Sequence, residues 1–475
     1  MSQTLPLEST YLNPRMEAFD PTYDDERRAQ YELLPRLYNR HLGPVLTLAL
    51  HAPDRLDLSM YGSSCSHLPP GELVRDFARR DRHLDALSIP VGGKGVHLQQ
   101  ALLGALGEVS ERLLALLHST STEDLVIGSY EALRGRGLNV LGPDSMPLFR
   151  SDQYDQPGWP FKRFDLHTPL TWVRGRELLT DEEVFVPAQL VLFHWRRSRQ
   201  EPRIGYATSG GLAFHTDRRR AILHGLYECF ERDAINLRWY CRLPPPLVDL
   251  PLEETVRRLS GSATLRLSTP DIATPRVYLN TLDAPIPVLT VITEDESREE
   301  RAFLAGGGAW GHKERALTQA LFEIGQMRTG FGLFGWQWTH IPPDATTADL
   351  TNFFDASVLY GFRSQIWRMG WYRSGTVRIP WDRVPSLPTS DHEAYDAVLD
   401  WLRRGGHRPI VFDVSDACWP GTAITKVFLP TLTQAFVPAY PYLAHPRFYR
   451  LPHELGLTEE PLTSRDINVD PLPFP

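Results

Sequence analysis

The feature that most restricts this chain is a repetition: ALLGALGEVSERL (101–113) and AILHGLYECFERD (221–233) each follow a small, apolar run with Glu-x-x-Glu-Arg, 120 residues apart. On a helix, residues i, i+3 and i+4 share a face, so Glu108, Glu111 and Arg112 point one way, as do Glu228, Glu231 and Arg232. The small and apolar residues upstream imply packed helices, whose clustered carboxylates cannot all stay charged without a cation. If the two helices face each other, four carboxylates converge. Hard oxygen ligands in that number suit Mg²⁺, which keeps several waters and binds substrate phosphates as well. Magnesium with a nucleotide is the chemistry this pattern favours; for either copy alone, a solvated face with local ion pairs is the simpler reading.

A phosphate cradle has to be sought elsewhere than in a Walker loop. SIPVGGKGV fails that template, because Ser88 stands where the first glycine is needed and Gly95 follows Lys94. Gly92, Gly93 and Gly95 still allow the backbone to approach a ligand, and Lys94 supplies a point charge just ahead of the first carboxylate helix.

Along the 475 residues, PVLTLAL (44–50) reads as a short buried strand and SSCSHLPPGE as a break. Residues 24–43 read as helix interrupted at Pro35, and 97–118 as the first carboxylate helix. The crowded prolines and aromatics of 140–165 suggest a long surface loop, mobile over a site. LTWVRGRELLTDEEVFVPAQLVLF offers two strands around TDEE. IGYATSGGLAFHT then leads into a helix over 217–238, and AFLAGGGAWGHKERALTQALFEIGQMR repeats the order of strand, Gly-rich loop and helix. Three such modules predict an α/β (α+β) body of one large domain. RPIVFDVSD and ITKVFLPTL read as late strands. The alternating prolines of PLPFP (471–475) forbid helix and leave an extended tail, either disordered or inserted.

A net charge of −8, with basic residues scattered, disfavours nucleic acid. With no signal peptide and no apolar run of spanning length, no membrane role is expected and a cytoplasmic protein is. Cys65, Cys229, Cys241 and Cys418 show no C-x-x-C pairing and read as reduced structural thiols.

Taken together, GGKG with ALLGALGEVSER, LTWVRGRELLTDEEVFVPAQLV, SGGLAFHTDRRRAILHGLYECFERDA and AGGGAWGHKERALTQALFEIGQ resemble the YcaO family, over roughly residues 85–330 and, with the tail, to the last residue. The resemblance implies a YcaO fold, with an N-terminal segment (1–84) packed on a catalytic domain (85–475). It implies ATP in a non-Walker site and Mg²⁺ held by Glu108, Glu111, Glu228 and Glu231. Arg232 would reach the phosphates, with Lys94, Gln319, Glu323, Gln326 and Lys426 completing the nucleotide site. Gly104, His215 and Thr216 depart from the residues many relatives carry. The PLPFP end resembles azoline-forming members, in which the terminal carboxylate, here that of Pro475, sits in the active site as a base or positioning group.

The activity so implied is ATP-dependent cyclodehydration of Cys, Ser or Thr in a ribosomally made precursor peptide, giving thiazoline or oxazoline. Since only about 85 residues precede the family motifs, a separate leader-peptide-binding partner is expected. A homodimer and an azoline oxidase are further expectations from the family. Thioamide or amidine formation, or a non-catalytic assembly subunit, are the competing readings.

Overall fold

The computed structural model describes residues 45–52, 60–68, 91–118, 124–193, 195, 197–198, 200–260, 267, 275–295, 299–300, 302–334, 341–415 and 421–474. The helix expected around Pro35, Cys418 and the Pro475 carboxylate lie outside them. Within them, β1 (Val45–His51), β2 (Tyr61–His67) and β3 (Val91–Gly95) form one antiparallel sheet in that order. A second sheet is built from β4 (Leu125–Gly128), β5 (Leu170–Glu177), β6 (Glu183–Pro187) and β7 (Leu212–His215). A third contains β8 (Leu247–Asp249), β9 (Arg276–Leu279), β10 (Val288–Glu294), β11 (Phe303–Ala309) and β12 (Arg378–Pro380). Two late strands, β13 (Ile410–Asp413) and β14 (Ala423–Phe428), return to the second sheet, whose order is β4-β5-β13-β14-β7 with β6 on β5. The third sheet runs β11-β10-β9-β8-β12, and of all these pairings only β8 with β12 is parallel.

Three helices carry the carboxylates: α1 (Leu98–His118), α2 (Arg218–Tyr240) and α3 (Lys313–Phe334). Each directly follows a glycine-bearing strand or turn and folds back across it, so the modules are strand-then-helix units in antiparallel sheets and not crossovers between parallel strands. The start of α2 is set by Asp217, whose carboxylate accepts the Arg220 N–H at 2.9 Å. Of two shorter helices, α4 (Phe353–Gly361) packs on β11 and α5 (Asp391–Arg404) on α2.

Glycine is what lets these helices come close. A Cβ on Gly93 would collide with the backbone of Ala101 and Ala105 in α1. In β11, Cβ atoms on Gly306 and Gly308 would strike the α3 backbone, while one on Gly307 would stand 3.4 Å from Glu231 of α2. The three glycines lie inside a fully buried strand and not in a loop as the sequence suggests, because a helix presses on each face.

Other expectations change as well. β1 is a strand, but most of its residues are exposed, with Leu46 at 52% and Leu50 at 43%, because α1 lies over β3 and β2 and hardly reaches β1. SSCSH, read as a break, belongs to β2: its small side chains fit under α1, where the Ser63 hydroxyl donates to Ala101 O. The 140–165 stretch is not a mobile lid. Phe149 and Phe161 are buried and stack 4.8 Å apart, and Tyr442 lies 5.0 Å from Phe149. Among the described residues no helix is long and apolar enough to cross a membrane.

Gly93→Ala should destabilise the chain by roughly 1–3 kcal/mol, since neither strand nor helix backbone can retreat without unpairing. A lowered urea midpoint at unchanged slope is the expected signature; an unchanged midpoint would refute the close packing of β3 on α1.

Candidate active site

On all three helices, one glutamate is tied to a strand or turn glycine. Gly92 N–H donates to Glu108 Oε2 at 3.0 Å, Gly211 N–H to Glu228 Oε2 at 2.9 Å, and Gly307 N–H to Glu323 Oε2 at 3.0 Å. One helical turn further stand Glu111, Glu231 and Gln326, so the duplicated motif is a triplicate in which the third copy reads Glu-x-x-Gln. The modules also touch in a cycle. A Cβ on Gly92 would lie 2.8 Å from Gln326 Nε2 of α3, Gly307 faces Glu231 of α2, and Phe214 of β7 packs beside Gly107 of α1. Each strand is thus shared between its own helix and another, and the ring gathers the acidic faces.

Cations are interleaved with the acids. Lys94 Nζ pairs with Glu323 Oε1 at 3.1 Å, Arg112 lies 3.6 Å from Glu108 and 3.3 Å from Glu111, and Arg232 lies 3.5 Å from Glu231. Arg112, although part of the first motif, is absent from the sequence-derived site; its position after Glu111 repeats that of Arg232 after Glu231. The glycine N–H donors were also missed, since no side chain marks them. Lys426 is buried, its ammonium donating to Thr208 O at 2.9 Å and to Gly210 O. It braces the turn that presents Gly211 and also lines a pocket with Tyr206, Gln434 and Tyr442. Gln319 lies one turn before Glu323, its Cβ 3.1 Å from where a Gly308 Cβ would be.

The acids nevertheless exceed local compensation. Burial pushes the Glu111 carboxyl up to about 8; Arg112 pulls it down, while Glu228 and Glu108 push it further up. Burial likewise raises Glu231, against Arg232 and with Glu323 and Glu228. Burial lowers Lys426 to about 8, despite the nearby Glu228 and Glu111. Among the described residues no group of three or more His, Cys, Asp or Glu is gathered as a metal site. The donor set still fits a hard divalent cation. Desolvated carboxylates on facing helices repel one another, and a cation sharing their oxygens with phosphate oxygens would relieve that repulsion.

The tail is inserted. Residues 471–474 are buried, with Phe474 at 3% exposure. Tyr360 O–H donates to Pro471 O at 2.8 Å and Ser357 O–H to Pro473 O at 3.2 Å. The Phe474 ring lies 5.7 Å from that of Tyr372, whose hydroxyl lies 3.0 Å from Thr290 Oγ1. Thr290 is paired with Gly307, so its side chain shares the face on which Gly307 looks toward Glu231 and Ile235. The described end of the tail therefore lies on the Glu231 side of the third sheet.

A family model described as YcaO cyclodehydratase, ATP- and Mg²⁺-binding, matches residues 92–433. An uncharacterized protein of Methanothermobacter thermautotrophicus is 27% identical over 263 residues, 52% of this chain and 63% of its own length. The chain thus spans less than two thirds of that relative. Among solved structures, a heterocyclase in complex with substrate and cofactor matches with a TM-score of 0.70 and 20% identity, over 94% of this chain and 57% of the other. YcaO from Methanopyrus kandleri bound with AMPPCP and Mg²⁺ matches at 0.58 and 19%, over 86% and 91%. The Escherichia coli microcin synthetase McbBCD complex matches at 0.56 and 14%, over 92% and 99%. At these identities the structures share the fold.

Between pH 4.5 and about 8 the folded, metal-free chain keeps a proton on Glu111 that the unfolded chain has released, so stability falls as pH rises through that window. Thermal melts of the metal-free protein should show the melting temperature dropping from the acid to the alkaline end, with a shallower drop in Glu111→Gln. Equal slopes would show that Glu111 is not the desolvated group.

Proposed function

The chain belongs to the YcaO family, and on that premise we propose that it is an ATP- and Mg²⁺-dependent cyclodehydratase acting on Cys, Ser or Thr residues of a ribosomally made precursor peptide. The observation that supports this reading is the electrostatic coupling between modules: Glu228 acts on Glu111, Glu323 acts on Glu231, and Lys94 of the first module pairs with Glu323 of the third.

In this reading Glu108, Glu111, Glu228 and Glu231 hold Mg²⁺. Arg232 and Lys94 meet the phosphates, and Gln319, Glu323 and Gln326 form the third wall. Lys426 adds positive charge from behind the Gly211 turn. Bound Mg²⁺·ATP supplies the phosphoryl group that turns a peptide oxygen into a leaving group. The side-chain nucleophile adds to the preceding carbonyl carbon and gives its proton to a base. The resulting oxygen takes the γ-phosphoryl as ADP departs, and the C–O bond then breaks with release of phosphate as the amide nitrogen loses its proton. The residues' own part is to orient the two substrates and to offset the charge developing on the transferred group, the role this reading gives to Arg232.

We assign the base to the Pro475 carboxylate. Its support is the buried, hydrogen-bonded tail that leads toward the Glu231 face; three prolines stiffen that tail at small entropic cost. The same tail favours ring formation over thioamide or amidine formation. A separate protein binding the leader peptide, a homodimeric state, a downstream azoline oxidase and a cytoplasmic location complete the proposal. The likeness to a chain of a synthetase complex supports its multi-protein setting.

Two measurements test it. With a cognate peptide and partner, Glu231→Gln should lower cyclisation, read by mass spectrometry as one water lost per ring, by about a hundredfold or more; wild-type rates would sink the site. Deleting Phe474 and Pro475, or appending residues after Pro475, should abolish most cyclisation while magnesium-dependent ATP binding persists. Full turnover by an extended chain would remove the tail from the mechanism.

A further inference from the structure

Beyond the carboxylate ring, the base of the tail carries a polar anchor that is fixed from several sides. We propose that Arg368 is a positioning residue that holds the tail in its groove through Asp470, fixing how far the residues beyond it reach toward Glu231. This rests on the reading that the tail serves the catalytic centre.

Arg368 and Asp470 form an ion pair whose side chains are only 25% and 14% exposed. The guanidinium is aimed by Gln365, whose Oε1 accepts the Arg368 Nε–H at 2.7 Å, and it lies 5.0 Å from the Trp367 ring centroid. Asp470 is fixed on its other side too: its carbonyl accepts the Trp239 indole N–H at 2.9 Å, and its own N–H donates to Asn468 Oδ1 at 3.2 Å. Beyond Asp470 the character of the contacts changes. Pro471 and Pro473 have no N–H, so they can only accept, from the neutral hydroxyls of Tyr360 and Ser357. Asp470 with Arg368 is therefore the ion pair of this tail among the described residues; upstream of it the Arg242 guanidinium donates to the neutral amide oxygen of Asn468 at 3.2 Å. Removing the guanidinium would strand a largely desolvated carboxylate, which would pull toward water and take the tail with it.

The geometry explains why the anchor sits here. Trp239 and Glu231 share α2, separated along its axis by about 12 Å at 1.5 Å per residue. An extended, proline-rich run advances about 3 Å per residue, so four or five residues beyond Asp470 have a reach of the same order. The point of anchoring thus sets the point of arrival.

The test compares wild type, Arg368→Ala, Arg368→Lys, the exchange Arg368→Asp with Asp470→Arg, and Arg363→Ala as a surface control. Amide hydrogen exchange at Leu472 and Phe474 should accelerate about tenfold in Arg368→Ala. Its cyclisation kcat should fall about tenfold while the KM for ATP stays within about twofold. Arg368→Lys and the charge exchange should recover most of both, which a merely structural role would not predict. Unchanged exchange in Arg368→Ala, or no recovery on charge exchange while the control matches wild type, overturns the proposal. If no peptide is cyclised by the wild type, the functional reading fails separately, and the exchange data alone decide the anchor.

Discussion

Everything in this molecule turns on a backbone N–H of glycine meeting a glutamate of the helix that follows. Gly92 with Glu108, Gly211 with Glu228, and Gly307 with Glu323 fix the first acid of each pair. A carboxylate held by a backbone donor cannot swing away from its neighbours, so Glu111 and Glu231 are left to face the acids of other modules, while the third module carries Gln326 at that position. The close strand-to-helix approach that makes these bonds possible depends on missing side chains, which is why glycine sits inside buried strands such as β11.

The consequence is a site under electrostatic tension. Glu111 and Glu231 are raised because burial and like charges outweigh the arginines beside them. The basic residues do not neutralise the cluster so much as divide it, with Lys94 committed to Glu323, Arg112 to the first pair and Arg232 to Glu231. A fold that concentrates negative charge around arginine is suited to a ligand that itself carries both signs, as a metal-bound polyphosphate does.

Helical spacing and residue type made the two full Glu-x-x-Glu-Arg copies legible in the sequence, and the late strands β13 and β14 with them. The third copy hid behind Gln326, whose amide breaks the acidic pattern although the geometry repeats. β2 was unreadable for a different reason: YGSSCSH has no apolar alternation, because its strand is specified by pairing with β3 and by the need for small groups under α1. β1 was misjudged because apolar letters do not say which strand a helix will cover. The proline tail announced that it was extended, but its groove is made by Trp239, Ser357 and Tyr360, residues scattered through the chain, and only tertiary structure brings them together.

The ring of modules also bears on how the chain folds. The Lys94 to Glu323 ion pair closes a loop of 229 residues, and such long-range closure costs chain entropy before any contact compensates it. Helices α1, α2 and α3 can form locally, but the face they share is completed only when the first and third modules meet, against mutual repulsion of their acids. Closing the ring thus works against both chain entropy and that repulsion, and a cation bridging those acids would stabilise the closed state by mass action.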